Sequence, residues 1–255
     1  MKRLRNGVES MNKEQAFKLL AQQLGISNNK AKELIDKGLV YAGNHKVKIA
    51  RGLVDEDTKF RVEQVNDIVV LYEDEDIVAI DKPAFVDSYD VEASIEGATL
   101  IHRLDRDTSG VLLLAKNEPF LQRAIEAFKQ QKVTKKYIAW VDGIFFEELS
   151  IDEPIHTERK GKAISRVDKK RGKKAVSIVR PLEVQGKKSK VEVEIETGRT
   201  HQIRVHLAYI GYPIIGDEAY GSVTKSKRIL LHAASIALLG YSFQAKEPRD
   251  IERYK

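Results

Sequence analysis

The stretch I-H-R-L-D-R-D-T-S-G, Ile101 to Gly110, sets one carboxylate, Asp105, between Arg103 and Arg106 and closes on the polar turn Thr108-Ser109-Gly110. An apolar strand-like run, Val111 to Leu114, follows without a break. A carboxylate held by guanidinium groups at the edge of a buried strand is charged, immobile and exposed to a cleft. Those are the properties of an aspartate that attacks a substrate. An isolated D-x-T-S-G would instead be a turn in which the Asp bonds its own backbone.

Around this stretch the chain has the make-up of an ordinary soluble protein. Its 255 residues, 42% hydrophobic and 32% charged, allow one or two domains with ample core. No apolar run approaches the roughly 18 residues that a bilayer crossing needs. The start, Met1-Lys-Arg-Leu-Arg, is basic but has no apolar segment after it and does not read as a secretory signal. Met11 is an alternative start that would leave Met1–Ser10 as a tail. The absence of cysteine excludes disulfides, thiolate chemistry and cysteine-ligated zinc, and the expected compartment is the cytoplasm. Residues 1–62 hold 13 Lys/Arg against 7 Asp/Glu, so the whole net charge of +6 lies in the first quarter of the chain. A basic surface supplies salt-sensitive affinity for nucleic acid. A solvated charged face is the plainer alternative.

Residues 11–62 read as a unit. A helix is predicted over Glu14 to Leu24, with Ala16, Leu19, Leu20 and Leu24 on one face and Gly25 as its stop. Ser27 is placed to cap a second helix to Lys37, burying Ala31, Leu34 and Ile35 and presenting Lys30, Lys32 and Lys37 outward. A hairpin turning at Gly43-Asn44 follows. From Asp67 the pattern becomes short β-like runs, at 68–72 and 77–81, stopped by Lys82-Pro83. Phe120 to Lys129 is predicted helical and 133–141 a strand. Residues 159–174 carry nine Lys/Arg and one acidic residue, Asp168. They read as an exposed basic loop or hairpin in which Lys169, Lys170 and Arg171 grip phosphates, or as a solvated charge run. S-K-V-E-V-E-I-E alternates, so Val191, Val193 and Ile195 face a core. The sum is an α+β fold, a mixed, mostly antiparallel sheet with flanking helices.

Three further segments stand out: E-T-G-R-T-H-Q-I-R-V-H-L-A at 196–208, G-Y-P-I-I-G-D-E-A-Y-G after it, and R-I-L-L-H-A at 228–233. Thr200 is placed to cap a helix beginning at His201, with Arg204 on the same side as His201 and Leu207. These segments, with D-K-P-A at 81–84, K-K-Y-I-A at 135–139 and H-R-L-D-R-D-T-S-G, resemble pseudouridine synthases of the RluA type, which isomerise uridine in ribosomal and transfer RNA. The resemblance runs from about 65 to 245 and implies a catalytic domain over 65–250. G-I-S-N-N-K-A-K-E-L-I-D-K-G-L-V, within 11–62, resembles the ribosomal S-four RNA-binding domain. The family resemblance implies that Asp105 is the catalytic carboxylate, that Arg204 pairs with it, that Tyr137 stacks on the target base and that Leu231 closes the pocket. Arg103 or His102 would wedge into the gap left by the base, and Arg106 and Thr108 would line the substrate. Where the family continues D-K-P-A with glycine and a longer loop, this chain has Phe85-Val-Asp-Ser-Tyr.

Isomerising uridine to pseudouridine breaks a C–N glycosidic bond, rotates the freed base and joins C5 to C1′. A carboxylate can add at C1′ or stabilise the positive charge that develops there; direct attack and a glycal route both remain open. A tyrosine face offers the uracil stacking worth about 1–3 kcal/mol, and its hydroxyl is a candidate proton acceptor. The chemistry calls for no cofactor and no metal. A rival reading makes a metal site of His102, His201, His206, His232 and Asp105. Against it, no H-x-x-x-H or H-x-H spacing occurs, and His201 and His206 stand about 140° apart around a helix. A second rival is a non-catalytic RNA-binding or ribosome-assembly factor on the same scaffold. The expected partner is RNA, ribosomal in preference to transfer, met by a monomer without membrane association.

Overall fold

The computed structural model describes residues 12–254 apart from Asn44 and Gly161, and the chain divides into two units, Met1–Val65 and Asn66–Lys255. Met11, the expected edge of the first unit, and Asn44, an expected turn residue, lie outside the described residues.

In the first unit strand β1 (Lys13–Gln15) precedes helix α1 (Ala16–Leu24), so the helix starts two residues later than its apolar spacing predicts. The reason is long-range: Glu14 and Gln15 pair with Val54 and Leu53 of β4 (Leu53–Asp55), a partner that local pattern does not show. Gly25 ends α1 in the left-handed conformation at φ 64°, which glycine adopts without a Cβ clash. Ser27 caps α2 (Asn28–Asp36), its Oγ accepting the Lys30 N–H at 3.2 Å. Phe17, Leu20, Ala31 and Ile35 share a core with Val40 of β2 (Val40–Ala42). That strand pairs antiparallel with β3 (His45–Lys46) and β5 (Phe60–Val62).

The second unit runs β6 (Val69–Glu73), β7 (Ile77–Lys82), α3 (Ser88–Ala93), β8 (Thr99–Leu100), β9 (Ser109–Ala115), α4 (Glu118–Lys129), β10 (Thr134–Asp142) and β11 (Leu149–Asp152). It continues β12 (Ile155–Lys160), β13 (Lys162–Val167), β14 (Val176–Gln185), β15 (Lys188–Ile195), α5 (Gln202–Tyr209), β16 (Leu231–Leu238), β17 (Tyr241–Gln244) and α6 (Arg249–Glu252). Ten strands form one sheet, ordered β11-β14-β15-β10-β16-β9-β7-β6, with β17 on β16 and β8 on β9. β16 and β9 run parallel, and the other ladders of the sheet are antiparallel. The architecture is therefore α+β with a mixed, mostly antiparallel sheet.

The central strands are buried on both faces, which is why they read as continuous apolar runs rather than alternations. Val78 and Ile80 of β7 and Leu112 and Leu114 of β9 join the core that contains Ile203 and Leu207 of α5. Their neighbours Ile77, Ala79, Val111 and Leu113 join the opposite core with Phe120, Ala124 and Ala127 of α4. By contrast β15 alternates between buried and half-buried positions, with Val191, Val193 and Ile195 inward. The parallel contact of β9 with β16 is unusually close. A Cβ on Gly110 would lie 2.2 Å from the Ala233 carbonyl oxygen, and its φ is 113°, so only glycine fits there. Ser109 and Gly110 consequently belong to β9, and the turn before it is formed by Arg106 and Asp107 rather than by Thr108-Ser109-Gly110.

The basic segment is a two-stranded hairpin, β12 with β13, followed by a turn in which Asp168 accepts the N–H groups of Lys170 and Arg171. Those hydrogen bonds, that of Arg171 foremost, hold the Asp168 carboxyl down at about 2.

Candidate active site

Asp105 lies on the short connection between β8 and β9, and the backbone on both sides of it is tied down. Ser88 Oγ, buried at the start of α3, accepts the Leu104 N–H at 3.1 Å and donates to the Leu104 carbonyl at 3.0 Å. On the other side the Arg106 carbonyl accepts the Phe85 N–H at 2.8 Å and a Lys82 Nζ hydrogen at 3.3 Å. Thr108 N–H closes the turn onto the Asp105 carbonyl at 3.0 Å. Lys82 is fully buried, and its other hydrogens reach the Pro83 and Val86 carbonyls at 2.9 and 2.8 Å. Burial pulls its pKa down to about 7, with the Asp107 and Asp87 carboxylates pulling it back up. Phe85 adopts φ 71°, a left-handed conformation. This is the position where the resembling family has glycine, and the structure shows why glycine suits it.

The guanidinium that meets Asp105 comes from far along the chain. Arg204 Nη1 lies 3.1 Å from Asp105 Oδ2, while its Nε and Nη2 form a fork on Asp217 at 2.7 and 2.9 Å. Burial works against the charge of Arg204, and the Asp217 and Asp105 carboxylates outweigh it and hold the guanidinium protonated. Arg204 also sits over the Tyr220 ring, 4.9 Å from its centroid. The helix that carries it is anchored by Gln202, whose amide donates to the Val176 carbonyl at 2.9 Å and accepts from Thr197 Oγ1 and Arg199 N. Those contacts draw the chain round through His201, which is the residue before α5 and is left-handed at φ 58°. Thr200 therefore does not cap the helix, contrary to the sequence expectation, and no side chain takes that place.

Tyr137 is brought to Asp105 by strand register. On neighbouring strands Tyr137 of β10 pairs with Ala233 of β16, and Ala233 pairs with Gly110 of β9, so the three lie in one row beside the Asp105 turn. Between Lys136 and Tyr137 the partner on β16 steps from Ser235 to Ala233, so Ala234 is an extra residue on that strand. The Tyr137 ring is buried in one core with Leu104 and Leu231. Burial, and then the Asp105 carboxylate, push its phenol well above the usual tyrosine range. The hydroxyl therefore stays neutral across the physiological pH range. One carboxylate, one fixed cation and one aromatic ring with apolar neighbours thus come together here.

The comparisons with known proteins agree with that chemistry. Residues 76–209 match the family described as RNA pseudouridylate synthase. A Helicobacter pylori protein named as an uncharacterized RNA pseudouridine synthase is 49% identical over 241 residues, 94% of this chain and 99% of the relative. The chain belongs to the RNA pseudouridylate synthase family. The ribosomal large subunit pseudouridine synthase D of Pasteurella multocida is 31% identical over 228 residues, 76% of this chain and 69% of that protein. Among solved structures, human RNA pseudouridylate synthase domain containing 1 superposes with a TM-score of 0.61 at 28% identity, over 72% of this chain and 84% of that one.

The remaining residues singled out in the sequence of this synthase divide. Arg103 is exposed, donates to the Tyr89 hydroxyl at 3.0 Å and lies over the Tyr89 ring, so it does not hold Asp105. Arg106 faces Asp107, its Nη2 3.6 Å from Oδ1. His102 is engaged internally: its Nε2 accepts the Leu113 N–H at 3.2 Å and its ring stacks on Phe128. Burial pushes its pKa down to about 4, and it is the internal contacts with Leu113 and Phe128 that speak against a wedge role. Thr108 is buried beneath the turn. In the first unit Lys30 and Lys37 both pair with Glu33, at 3.0 and 2.7 Å, and Lys32 lies over the Phe17 ring, so none of the three is a bare outward cation. In the basic segment Lys169 pairs with Glu153 and Arg171 with Asp168, both exposed pairs of small net worth, while Lys170 is exposed. Sequence reading missed Asp217, Tyr220, Ser88 and the strut Lys82. Asp217 and Tyr220 were visible only as parts of G-D-E-A-Y-G, with nothing local to mark one as the partner of an arginine 13 positions away.

Proposed function

We propose that this synthase isomerises uridine in structured RNA, foremost in large-subunit ribosomal RNA, with Asp105 as the reacting carboxylate. The observation that carries the reading is the Arg204–Asp105 contact of 3.1 Å on a turn whose backbone is pinned on both sides. An immobilised carboxylate is placed for C1′, either bonding to it as the C1′–N1 electron pair leaves with uracil, or balancing the charge that develops there. When C5 takes the place of N1, that bond or charge is released and the C5 proton is lost to solvent. The buried Tyr137 face stacks on the uracil while it turns, and Leu231 shuts the pocket from water.

Reaching the pocket means leaving the RNA helix, at a cost of a few kcal/mol. Arg103, exposed and backed by Tyr89, fills the vacated space, and the β12–β13 hairpin with Lys169, Lys170 and Arg171 contributes phosphate contacts that offset the cost. The first unit acts as an S-four-like RNA-binding domain, supported by the +6 excess of residues 1–62; Lys30 and Lys32 of α2 and Lys37 just after it reach RNA by exchanging their Glu33 and Phe17 contacts for phosphates. The preference for large-subunit ribosomal RNA rests on the Pasteurella relative and others of its name. A cytoplasmic location and a monomeric state belong to the same proposal.

Tritium release from hypomodified RNA labelled at uridine C5 tests the reading, since joining C5 to C1′ expels that hydrogen. Native protein is expected to release tritium from large-subunit RNA, and Asp105→Asn to release none while binding the same RNA. Turnover by Asp105→Asn overturns the assignment of the carboxylate. Release from transfer RNA alone moves the substrate class, and release from neither RNA leaves an RNA-binding protein without this activity.

A further inference from the structure

Both groups that approach the Asp105 carboxylate converge on one of its two oxygens. Arg204 Nη1 is 3.1 Å from Oδ2, and His201 Nε2 is 3.8 Å from the same Oδ2. Among the described residues Oδ1 has no hydrogen-bond partner, and it is not a sealed-off atom. His201 is held on its far side: Nδ1 lies 2.8 Å from the Tyr220 hydroxyl, and that oxygen already accepts the Ser165 N–H of β13 at 3.0 Å. His201 reaches this place from a left-handed backbone, φ 58° and ψ 24°, a conformation that is strained for a non-glycine residue.

We infer that His201, oriented by Tyr220, is a positioning residue for the reaction: it joins Arg204 in fixing Oδ2 of Asp105 and so leaves Oδ1 as the reacting oxygen. The inference rests on Asp105 being the catalytic carboxylate. The tautomer follows from hydrogen-bond arithmetic. Because the Tyr220 oxygen accepts from Ser165, its own hydrogen is free for His201 Nδ1, which leaves the ring N–H on Nε2, facing Oδ2. The opposite tautomer would aim a bare lone pair at a carboxylate and leave the Tyr220 hydrogen without this acceptor. Burial, together with the neighbouring Arg204 charge, favours the neutral ring, against the pull of Asp105 and Asp217. A neutral N–H donor restrains Oδ2 without quenching the carboxylate's charge. The distance of 3.8 Å is longer than a hydrogen bond; catalytic contacts of this kind commonly tighten in the substrate complex, and this one must do so for His201 to act. The Ser165 link also runs from the carboxylate to the basic hairpin, so the part of the protein assigned to phosphates shares a hydrogen-bond chain with the part assigned to chemistry.

The test compares His201→Ala, His201→Gln, Tyr220→Phe and the double variant His201→Ala/Tyr220→Phe with native protein and Asp105→Asn. It uses tritium release for kcat and KM, and it records RNA affinity and thermal unfolding for each protein. His201→Ala is expected to lose about 10- to 100-fold in kcat with KM and RNA affinity within a few-fold of native. Gln sets an amide N–H near the place of Nε2, so His201→Gln is expected to recover most of that loss. Tyr220→Phe should fall in the range of His201→Ala, and the double variant should be no worse than the poorer single one, because the two residues act as a unit. A kcat within twofold of native in His201→Ala, beside an inactive Asp105→Asn, overturns the inference and spares the carboxylate reading. Multiplicative losses, or a loss confined to KM, overturn it likewise. Should His201→Ala unfold, Tyr220→Phe decides: native kcat in that variant overturns the inference. An active Asp105→Asn overturns both readings together.

Discussion

Arg204 gives Nε and Nη2 to Asp217, which leaves Nη1 as the nitrogen that meets Asp105. A guanidinium is planar, so the fork on Asp217 fixes where the remaining N–H groups point. Asp217 is 1% exposed, and removing its charge leaves the buried Arg204 with a weaker partner. Asp217→Asn is therefore expected to cost about 2 kcal/mol or more in urea unfolding, and to lower kcat while RNA affinity stays near native. Unchanged kcat would show that the fork does not set the geometry at Asp105. At this scale the sequence was informative about which residues have chemistry to offer and poor on partners. Arg103 and Arg106 flank Asp105 in the chain and were expected to hold it, yet Arg103 turns to Tyr89 and Arg106 faces Asp107. A guanidinium 99 positions away takes that place.

The seam between β9 and β16 carries the site at the scale of elements. It depends on Gly110, where no Cβ fits, and on a buried hydrogen bond between Ser109 Oγ and His232 Nδ1 of 2.9 Å. His232 Nε2 points to the Ala245 carbonyl at 3.3 Å, so this ring nitrogen carries the proton and Nδ1 accepts from Ser109. Burial pushes the His232 pKa down to about 4. An unfolded histidine takes up its proton near 6.5. Between those values the unfolded chain binds a proton that the folded chain refuses, so stability is lost as the pH falls from about 6.5 to about 4. The expected loss from this group is about 3 kcal/mol at most. Urea unfolding across that range checks it: His232→Gln should show a shallower acid decline than native protein, and an equally steep one would reject the role of this histidine. The periodicities that predicted strands and helices served well where each element buries its own face, as in β15 and α4. They missed β1, whose pairing with β4 is invisible locally.

Over the whole molecule each unit has its own core, one of Phe17, Leu20 and Ile35, the others on the two faces of the large sheet. The net charge of +6 belongs entirely to residues 1–62. Removing those residues is expected to weaken RNA binding about tenfold or more at physiological salt and to flatten the decline of affinity with salt concentration, since fewer counterions are released. Filter-binding titrations at several salt concentrations measure both quantities. A slope equal to that of the full chain would take RNA binding away from the first unit.

By itself the amino-acid sequence determined the α+β class, the two-part charge distribution and the short set of residues able to do chemistry, because burial periodicity, turn residues and side-chain type are local properties. Only the tertiary structure decided which of them meet. The row Tyr137–Ala233–Gly110 exists because three strands distant in the chain are hydrogen-bonded in one register. The left-handed turn at His201, and with it the approach of two donors to one oxygen of Asp105, follows from Gln202 binding the neighbouring strand. Such contacts are fixed by the packing of the whole sheet, and no window of sequence contains both partners.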